Sequence, residues 1–263
     1  MLIELAKAAV LGVVEGVTEF LPISSTGHLL VVSGLLNFPE GKAARDSFDI
    51  FIQLGAVLAV LLYYRKDFFG KGAGALWRNL ALSFLPVGIV GFLFGSAIKS
   101  ALFSPLVVAT SLFCGGIVLF LVDDGKRSGR KVRLSPRDFL AIGFFQVFAL
   151  VPGVSRSAAV IVGCLLLGLS RRDSAKYSFL LAVPTLGIAT VYELFSAFRS
   201  RVFSAADFPA LSVGFAFSLI FAAIAVKFLI GFVSSSKNPF RAFAIYRVVA
   251  GISLLALVLS GFL

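Results

Sequence analysis

Residues 15–28 read EGVTEFLPISSTGH. This stretch gathers two carboxylates, three consecutive hydroxyl side chains and the only histidine of the chain, although the sequence around it is almost entirely apolar. Ionisable groups inside an apolar, membrane-like segment are costly to bury, and they are usually functional. The stretch therefore indicates chemistry on a charged group that is held at a lipid boundary.

The composition predicts a membrane protein that crosses the bilayer several times. Of the 263 residues, 59% are hydrophobic and the mean hydropathy is +1.01, whereas soluble domains are about 45–50% apolar. Uncharged stretches such as 106–122 and 208–226 are long enough to span a membrane. The net charge of +11 is attributed to loops that face anionic lipid, since the sequence contains no nucleic-acid-binding module.

The predicted fold is an all-α polytopic membrane protein with six transmembrane helices and two re-entrant helical hairpins. The six full spans are 48–64, 81–98, 105–122, 177–195, 211–230 and 242–262. Two further apolar stretches, 4–36 and 139–169, are interrupted at 21–24 and 151–155, where a proline is followed by a serine. A proline with small hydroxyl residues ends one helix and caps the next. The alternative for each stretch is a single kinked helix that spans the membrane.

The order of these elements predicts an inverted-topology repeat. Repeat 1 covers about 1–122 and repeat 2 about 139–263, joined by the basic loop 123–138 within a single membrane domain. A shift of 131 residues places Glu15 over Gln146 and residues 24–26 over 155–157. With the basic loops in the cytoplasm, both termini lie outside, the first hairpin enters from outside and the second from the cytoplasm. Such repeats place their site near the midplane, where half-helix ends meet.

Residues at the two breaks are candidates for phosphate binding. A helix N-terminus offers free N–H groups and a positive dipole end, and arginine can hold a phosphate through two hydrogen bonds. The candidate binding residues are Ser24, Thr26, Gly153, Ser155 and Ser157, with Arg156 between the last two. The structural alternative is helix capping, with Arg156 paired to Glu15 or Glu19.

Glu15, Glu19, Ser25 and His28 are the remaining candidates for catalysis. Glu15 and Glu19 share one helix face, which suits metal coordination or shared-proton chemistry. His28 follows Ser25 by one helical turn and could act as a general acid or base, or accept a phosphoryl group; otherwise it is a core histidine. Ser25 is the candidate nucleophile, with Ser24 and Thr26 as alternatives. Arg247 is expected to reach the cytoplasmic surface.

The motif at 15–28, together with PGVSRS at 152–157, resembles the two signatures of the undecaprenyl-pyrophosphate phosphatases, the bacitracin-resistance type of bacterial membrane phosphatase. The segments FIQLGAVLA (51–59) and YSFLLAVP (177–184) extend the resemblance over essentially the whole chain. It implies hydrolysis of undecaprenyl pyrophosphate to undecaprenyl phosphate and inorganic phosphate, which recycles the lipid carrier for cell-wall synthesis and confers bacitracin resistance. Relatives usually continue the second motif with Gly-Ala-Thr, whereas this chain has Ala158, Ala159 and Val160.

The resemblance also implies where the protein acts and what it binds. It implies a multi-pass protein of the bacterial inner membrane with an active site facing the periplasmic side, a polyprenyl pyrophosphate lipid as substrate, and a homodimer. The matching functional positions are Glu15, Glu19, Ser25, His28 and Arg156. A divalent cation, Mg or Ca, is expected, with Glu15 and Glu19 as its ligands. The rival hypothesis is a transporter or flippase for an anion or a lipid phosphate.

Overall fold

The computed structural model describes residues 1–39, 42–124, 129, 131, 134–200 and 205–261. Within these ranges every regular element is a helix and no strand occurs. The first half contains α1 (Leu2–Thr18), α2 (Ser25–Leu36), α3 (Lys42–Tyr63), α4 (Arg65–Phe69), α5 (Ala73–Leu102) and α6 (Pro105–Val122). The second half contains α7 (Pro136–Val147), α8 (Arg156–Leu166), α9 (Arg171–Arg199), α10 (Phe208–Ser235) and α11 (Pro239–Leu259), with 3-10 turns at Phe148–Leu150 and Ala205–Asp207.

Six of these helices are long and apolar enough to cross a membrane. They are α3, α5, α6, α9, α10 and α11, and each corresponds to one predicted span. Most extend beyond the predicted bounds because their ends carry charged residues, such as Arg171 and Arg172, that an apolar pattern leaves out. Large apolar side chains, among them Phe92, Phe195 and Ile224, are exposed on their outer faces, as contact with lipid requires.

Both predicted interruptions are present as breaks between helices. The chain turns from the end of α1 at Thr18 to the start of α2 at Ser25, and from the 3-10 turn after α7 to the start of α8 at Arg156. Ser24 and Ser155 precede the second helix of each break, and both have a φ of 71°. Positive φ is strained for a residue with a Cβ, so the surrounding structure must hold both serines in place.

Close packing on other helices holds the helices that lead into the two breaks. α1 packs on α10, α7 packs on α5, and α6 packs on α11. Glycines allow the first two approaches, since a Cβ at Gly12 would lie 2.3 Å from the carbonyl oxygen of Gly214, and a Cβ at Gly143 would lie 2.5 Å from that of Ser83. The interrupted helices are therefore held by helices that lie far away in the chain.

A buried carboxylate at the start of the basic loop 123–138 ties together the ends of three helices. Residues 125–128, 130, 132 and 133 of that loop lie outside the described part of the chain. Asp123, at the end of α6, is 1% exposed. It accepts a short hydrogen bond from Arg171 Nε and one of 3.0 Å from the backbone N–H of Phe240. The ends of α6, α9 and α11 therefore meet at one carboxylate.

Asp123→Ala is expected to lower the free energy of unfolding by about 3 kcal/mol, since it leaves a partly buried arginine and a buried N–H without their acceptor. The measurement is denaturant unfolding in detergent micelles. Asp67→Ala is the matched control because its ion pair with Lys176 is much more exposed, and such surface pairs contribute about 0–1 kcal/mol. Equal losses of unfolding free energy in the two variants would contradict the conclusion that Asp123 ties the three helix ends together.

Candidate active site

The two breaks contact each other directly, although they lie in different halves of the sequence. Ser157 Oγ, at the start of α8, donates a hydrogen bond of 3.0 Å to the carbonyl oxygen of Leu21 in the first break. Arg156 Nη2 donates to Glu19 Oε1, also at 3.0 Å. Most of the polar residues that the sequence singled out are thereby gathered around one place.

Glu19 lies at the centre of a hydrogen-bonded group with Ser25 and Arg156. Ser25 Oγ donates to Glu19 Oε2 at 2.6 Å, while Arg156 pairs with the other carboxylate oxygen. Glu19 and Arg156 are 7% and 8% exposed. A carboxylate in this position can accept the hydroxyl proton of Ser25, and the guanidinium balances its charge.

Arg156 is fixed from several directions and still has a free donor. Its Nη1 donates to the carbonyl oxygen of Ser178 at 2.6 Å and to the Ser178 hydroxyl at 3.3 Å, and its guanidinium lies over the ring of Phe20. Its Nε has no hydrogen-bond partner among the described residues, although it is buried. A buried donor without a partner is costly, so a ligand that supplies an acceptor here would be stabilised. The sequence had not indicated the role of Ser178.

A cavity of about 160 Å³ lies against this group. Its polar lining comes from both breaks and comprises Glu19, Ser24, Ser25, Thr26, Gly153, Ser155 and Arg156, with Gln53 from α3. A second cavity of about 420 Å³ adjoins it, since Ser25, Thr26 and Gln53 line both. The larger cavity also touches Glu15 and Asp49. The smaller cavity is the more polar of the two, and Ser25 lies where they adjoin.

Glu15 differs from Glu19 in having no partner. It is 1% exposed, and neither carboxylate oxygen accepts a hydrogen bond within the described part of the chain. Asp49 also lines the larger cavity, and its buried Oδ1 likewise accepts no hydrogen bond among the described residues. Burying an unpaired carboxylate is costly, so these oxygens are suited to a proton or a cation.

His28 contacts the backbone of Ser24 and Tyr246 of α11, and it does not bond to Ser25. Its Nδ1 lies 2.7 Å from the Ser24 carbonyl oxygen, its Nε2 lies 2.5 Å from the Tyr246 hydroxyl, and the two rings stack. Neither of the two cavities is lined by His28. Helical spacing correctly places His28 one turn from Ser24 and Ser25, but Ser25 is bonded to Glu19 instead. No feature of the sequence had indicated that Tyr246 contacts His28.

The tautomer of His28 follows from its two partners. A carbonyl oxygen can only accept, so Nδ1 carries a proton; in the neutral ring Nε2 then accepts the hydrogen bond of Tyr246. We expect ¹⁵N NMR in detergent at neutral pH to show a neutral ring protonated at Nδ1, with no overlap because His28 is the only histidine. Tyr246→Phe should shift the Nε2 signal and leave Nδ1 protonated. A ring protonated at Nε2 and not at Nδ1 would contradict this geometry, because Nδ1 would then face the Ser24 carbonyl oxygen without a proton.

Ser155 and Ser157 are engaged with the protein itself. Ser155 Oγ accepts a hydrogen bond from the backbone N–H of Ala158 and pairs with Ser157 Oγ at 2.9 Å. The Ser24 side chain, by contrast, makes no capping bond at the start of α2. Ala158 and Val160, where the second motif departs from the usual pattern, are buried and line neither cavity.

Arg247 is the clearest error of the sequence-based prediction. It was expected to reach the cytoplasmic surface, but the structure buries it completely. Its guanidinium points into the bundle, where α6 presents Gly115 and Gly116. An arginine extends to the membrane surface only when its stem runs along the outside of a helix bundle, and Arg247 lies on the inner face of α11.

The fold and the site together define a helical membrane protein with a polar, serine-containing cavity between two helix breaks. Residues 8–253 match the family described as "Bacitracin resistance protein BacA". The chain belongs to this family. It is similar to "Undecaprenyl-diphosphatase" of Wolinella succinogenes, with 45% identity over 95% of this chain and 96% of the relative. It is also similar to "Undecaprenyl-diphosphatase 2" of Rhodospirillum rubrum, with 44% identity over 99% of this chain and 97% of the relative. The similarity to "Undecaprenyl-diphosphatase" of Acidovorax ebreus is 42% identity over 98% of this chain and 96% of the relative.

Proposed function

We propose that this protein hydrolyses undecaprenyl pyrophosphate to undecaprenyl phosphate and inorganic phosphate. The observation that carries the proposal is the bonded group of Ser25, Glu19 and Arg156 beside a cavity between two breaks. This group offers a nucleophile, a proton acceptor and a fixed cation, which are the parts that phosphoryl transfer needs. The printed names of the relatives support the same activity.

In the proposed mechanism, Ser25 attacks the terminal phosphorus while the prenyl tail stays in lipid. Glu19 accepts the Ser25 proton as the new P–O bond forms, and the bond from phosphorus to the bridging oxygen breaks, releasing undecaprenyl phosphate. Water then attacks the phosphoserine and the bond from phosphorus to Ser25 Oγ breaks. Glu19 returns its proton to Ser25 Oγ, and both protons of the water leave with the inorganic phosphate. Arg156, whose Nε is free, stabilises the charge on the transferred phosphoryl group. Ser24, Thr26, Gly153 and Ser155 form the surrounding phosphate-binding wall. Ser157, which was a sequence-based candidate, lines neither cavity and instead supports this wall through its bonds to Leu21 and Ser155.

A divalent cation, Mg or Ca, belongs to this proposal, and the donor set favours Glu15 as its holder. Glu19 is already paired with Arg156 and Ser25, whereas both oxygens of Glu15 are open and Asp49 lies across the same cavity. No cluster of three or more His, Cys, Asp or Glu side chains suited to a metal occurs in the described residues. Mg²⁺ commonly takes one or two carboxylates and completes its shell with substrate phosphates and water. When bound, it would neutralise part of the pyrophosphate charge.

The inverted repeat with two re-entrant hairpins is proposed on the correspondence between the halves. Ser24 and Ser155, which the shift of 131 residues superimposes, share the same positive φ. The same shift relates Asn37 to Gly168, which lie just beyond the ends of α2 and α8 and both have positive φ. The packing of α1 on α10 is matched by that of α7 on α5. These pairs favour two copies of one unit, at 1–122 and 139–263, on either side of the loop 123–138.

We further propose a location and a cellular role. The loop charges favour an inner-membrane protein whose first hairpin, and with it the active site, faces the periplasm. There it would recycle the lipid carrier for cell-wall synthesis and confer bacitracin resistance. A homodimer is also proposed, on the family resemblance alone.

The test is phosphate release from a C55 prenyl pyrophosphate by the detergent-purified protein, with Mg²⁺, with Ca²⁺ and with chelator. Metal-dependent release that is lost in Glu15→Gln would support both the activity and the cation assignment. Release that persists in chelator would overturn the cation and leave the phosphatase standing. No release under any condition, from folded protein, would favour the alternative of an anion or lipid-phosphate transporter, which a liposome translocation assay would then test.

A further inference from the structure

Arg247 holds three backbone carbonyl groups and no acidic side chain. Its Nη1 donates to the carbonyl oxygen of Pro22 at 3.3 Å, and its Nη2 donates to those of Gly153 at 3.2 Å and Ser111 at 3.3 Å. The side chain is 0% exposed. No ion pair of Arg247 occurs in the part of the chain that the structure describes. One guanidinium therefore joins three segments that are distant in sequence.

Two of these carbonyl groups lie inside the breaks. Pro22 stands two residues before Ser24 and Gly153 stands two residues before Ser155, and both serines have positive φ. Backbone in this region is strained and persists only when neighbouring groups hold it. The third carbonyl, that of Ser111, belongs to the middle of α6, which gives the two breaks a common rigid support.

The space around the guanidinium is shaped to admit it. A Cβ at Gly115 of α6 would lie 2.2 Å from Arg247 Nη2, and a Cβ at Gly116 would lie 3.0 Å from Arg247 Cβ. A charge buried without an opposite charge is costly, and an apolar side chain of similar volume would pack here at less expense. Packing alone thus does not account for an arginine, whereas the three carbonyl acceptors do.

We propose that Arg247 is a positioning residue that keeps the two breaks in register, so that Ser25 and Glu19 of one face Arg156 of the other. Arg247 lines neither cavity, so it acts through Pro22 and Gly153 and not by touching substrate. The inference rests on the proposed phosphatase activity for its kinetic test. Its structural test is independent of any activity.

The kinetic test compares Arg247→Lys and Arg247→Met with Arg241→Met. Lysine keeps the charge but lacks the planar fork that reaches three acceptors, so Arg247→Lys should lower kcat about tenfold to a hundredfold, the effect of misplacing reacting groups by about 1 Å. KM should stay within about threefold, because the groups that touch substrate are unchanged. Arg247→Met should lower kcat further than Arg247→Lys does. Arg241, also on α11, lies over the ring of Phe120 away from the breaks, and its variant should keep wild-type kcat.

The structural test is hydrogen exchange of the same proteins, followed by mass spectrometry. Arg247→Lys should exchange faster than wild type at 19–25 and 151–156, with no change in α5 or α10, and Arg241→Met should match wild type. Three outcomes would each overturn the proposal: unchanged exchange at both breaks, a kcat of Arg247→Lys within about twofold of wild type, or a loss of activity no larger than the loss of folded protein. Inactive wild-type protein would instead refute the phosphatase, and faster exchange would still support the positioning role. If Arg247→Met does not fold, Arg247→Lys decides.

Discussion

Arg156→Ala is expected to lower kcat by about a hundredfold to a thousandfold, as the loss of one preorganised donor to a transition-state oxygen does. The reasons are that Arg156 lines the small cavity, that its Nε has no hydrogen-bond partner among the described residues, and that its Nη2 pairs with Glu19. Arg156→Lys should recover little, because an ammonium group cannot reach Glu19, Ser178 and a phosphate oxygen together. The measurement is kcat for phosphate release, corrected for the folded fraction.

The double variant Arg156→Ala with Glu19→Gln separates two roles of this arginine. If Arg156 serves only to balance the Glu19 charge, the double variant should match Glu19→Gln alone in both stability and kcat. If Arg156 also binds phosphate, the double variant should match Glu19→Gln in stability but have a lower kcat. An Arg156→Ala protein that folds and keeps activity within about threefold of wild type would refute a catalytic role.

Ser25→Ala is expected to reduce kcat by about a thousandfold or more, because it removes the nucleophile and leaves only binding and electrostatic stabilisation. Glu19→Gln keeps the shape of the side chain and the Ser25 hydrogen bond but cannot accept a proton, so it should lower kcat by about a hundredfold or more. Phosphate release and a rapid-quench search for phosphoserine are the measurements. Ser100→Ala, at the exposed end of α5, is the control.

The outcome for Ser25 also decides between the nucleophiles that the sequence left open. Full activity in Ser25→Ala would transfer the attack to water or to His28. A protein labelled at His28 by the substrate phosphate would contradict the geometry, since His28 Nε2 is turned towards Tyr246. Labelling at Ser25 that accumulates in rapid-quench samples would support the two-step reaction.

The positions of the spans and of both breaks could be predicted from sequence because their causes are local. Apolar runs with at most one charged residue define the spans, and Pro22 and Pro152 with the serines that follow them define the breaks. The partner of Ser25 could not be predicted in this way. Glu19 precedes the break and Ser25 follows it, so their contact depends on how the turn between them folds back, and helical periodicity does not describe that turn.

Arg247 shows the same limit over a longer distance. Its acceptors are the carbonyl oxygens of Pro22, Ser111 and Gly153, and backbone carbonyl groups leave no trace in the residue types of a sequence. Gly115 and Gly116 were the only local sign of the space it needs. A buried arginine held by backbone alone therefore resembles, in sequence, one that extends to the surface.

The packing of α1 on α10 has a consequence for how the protein is made. α1 is translated long before α10, yet the surface on α10 that receives α1 is not complete until the chain has passed about residue 235. α1, which carries Glu15, must therefore wait beside the insertion machinery until α10 has followed. A nascent chain that stalls before α10 would expose an acidic, unpartnered helix, which quality-control proteases could recognise.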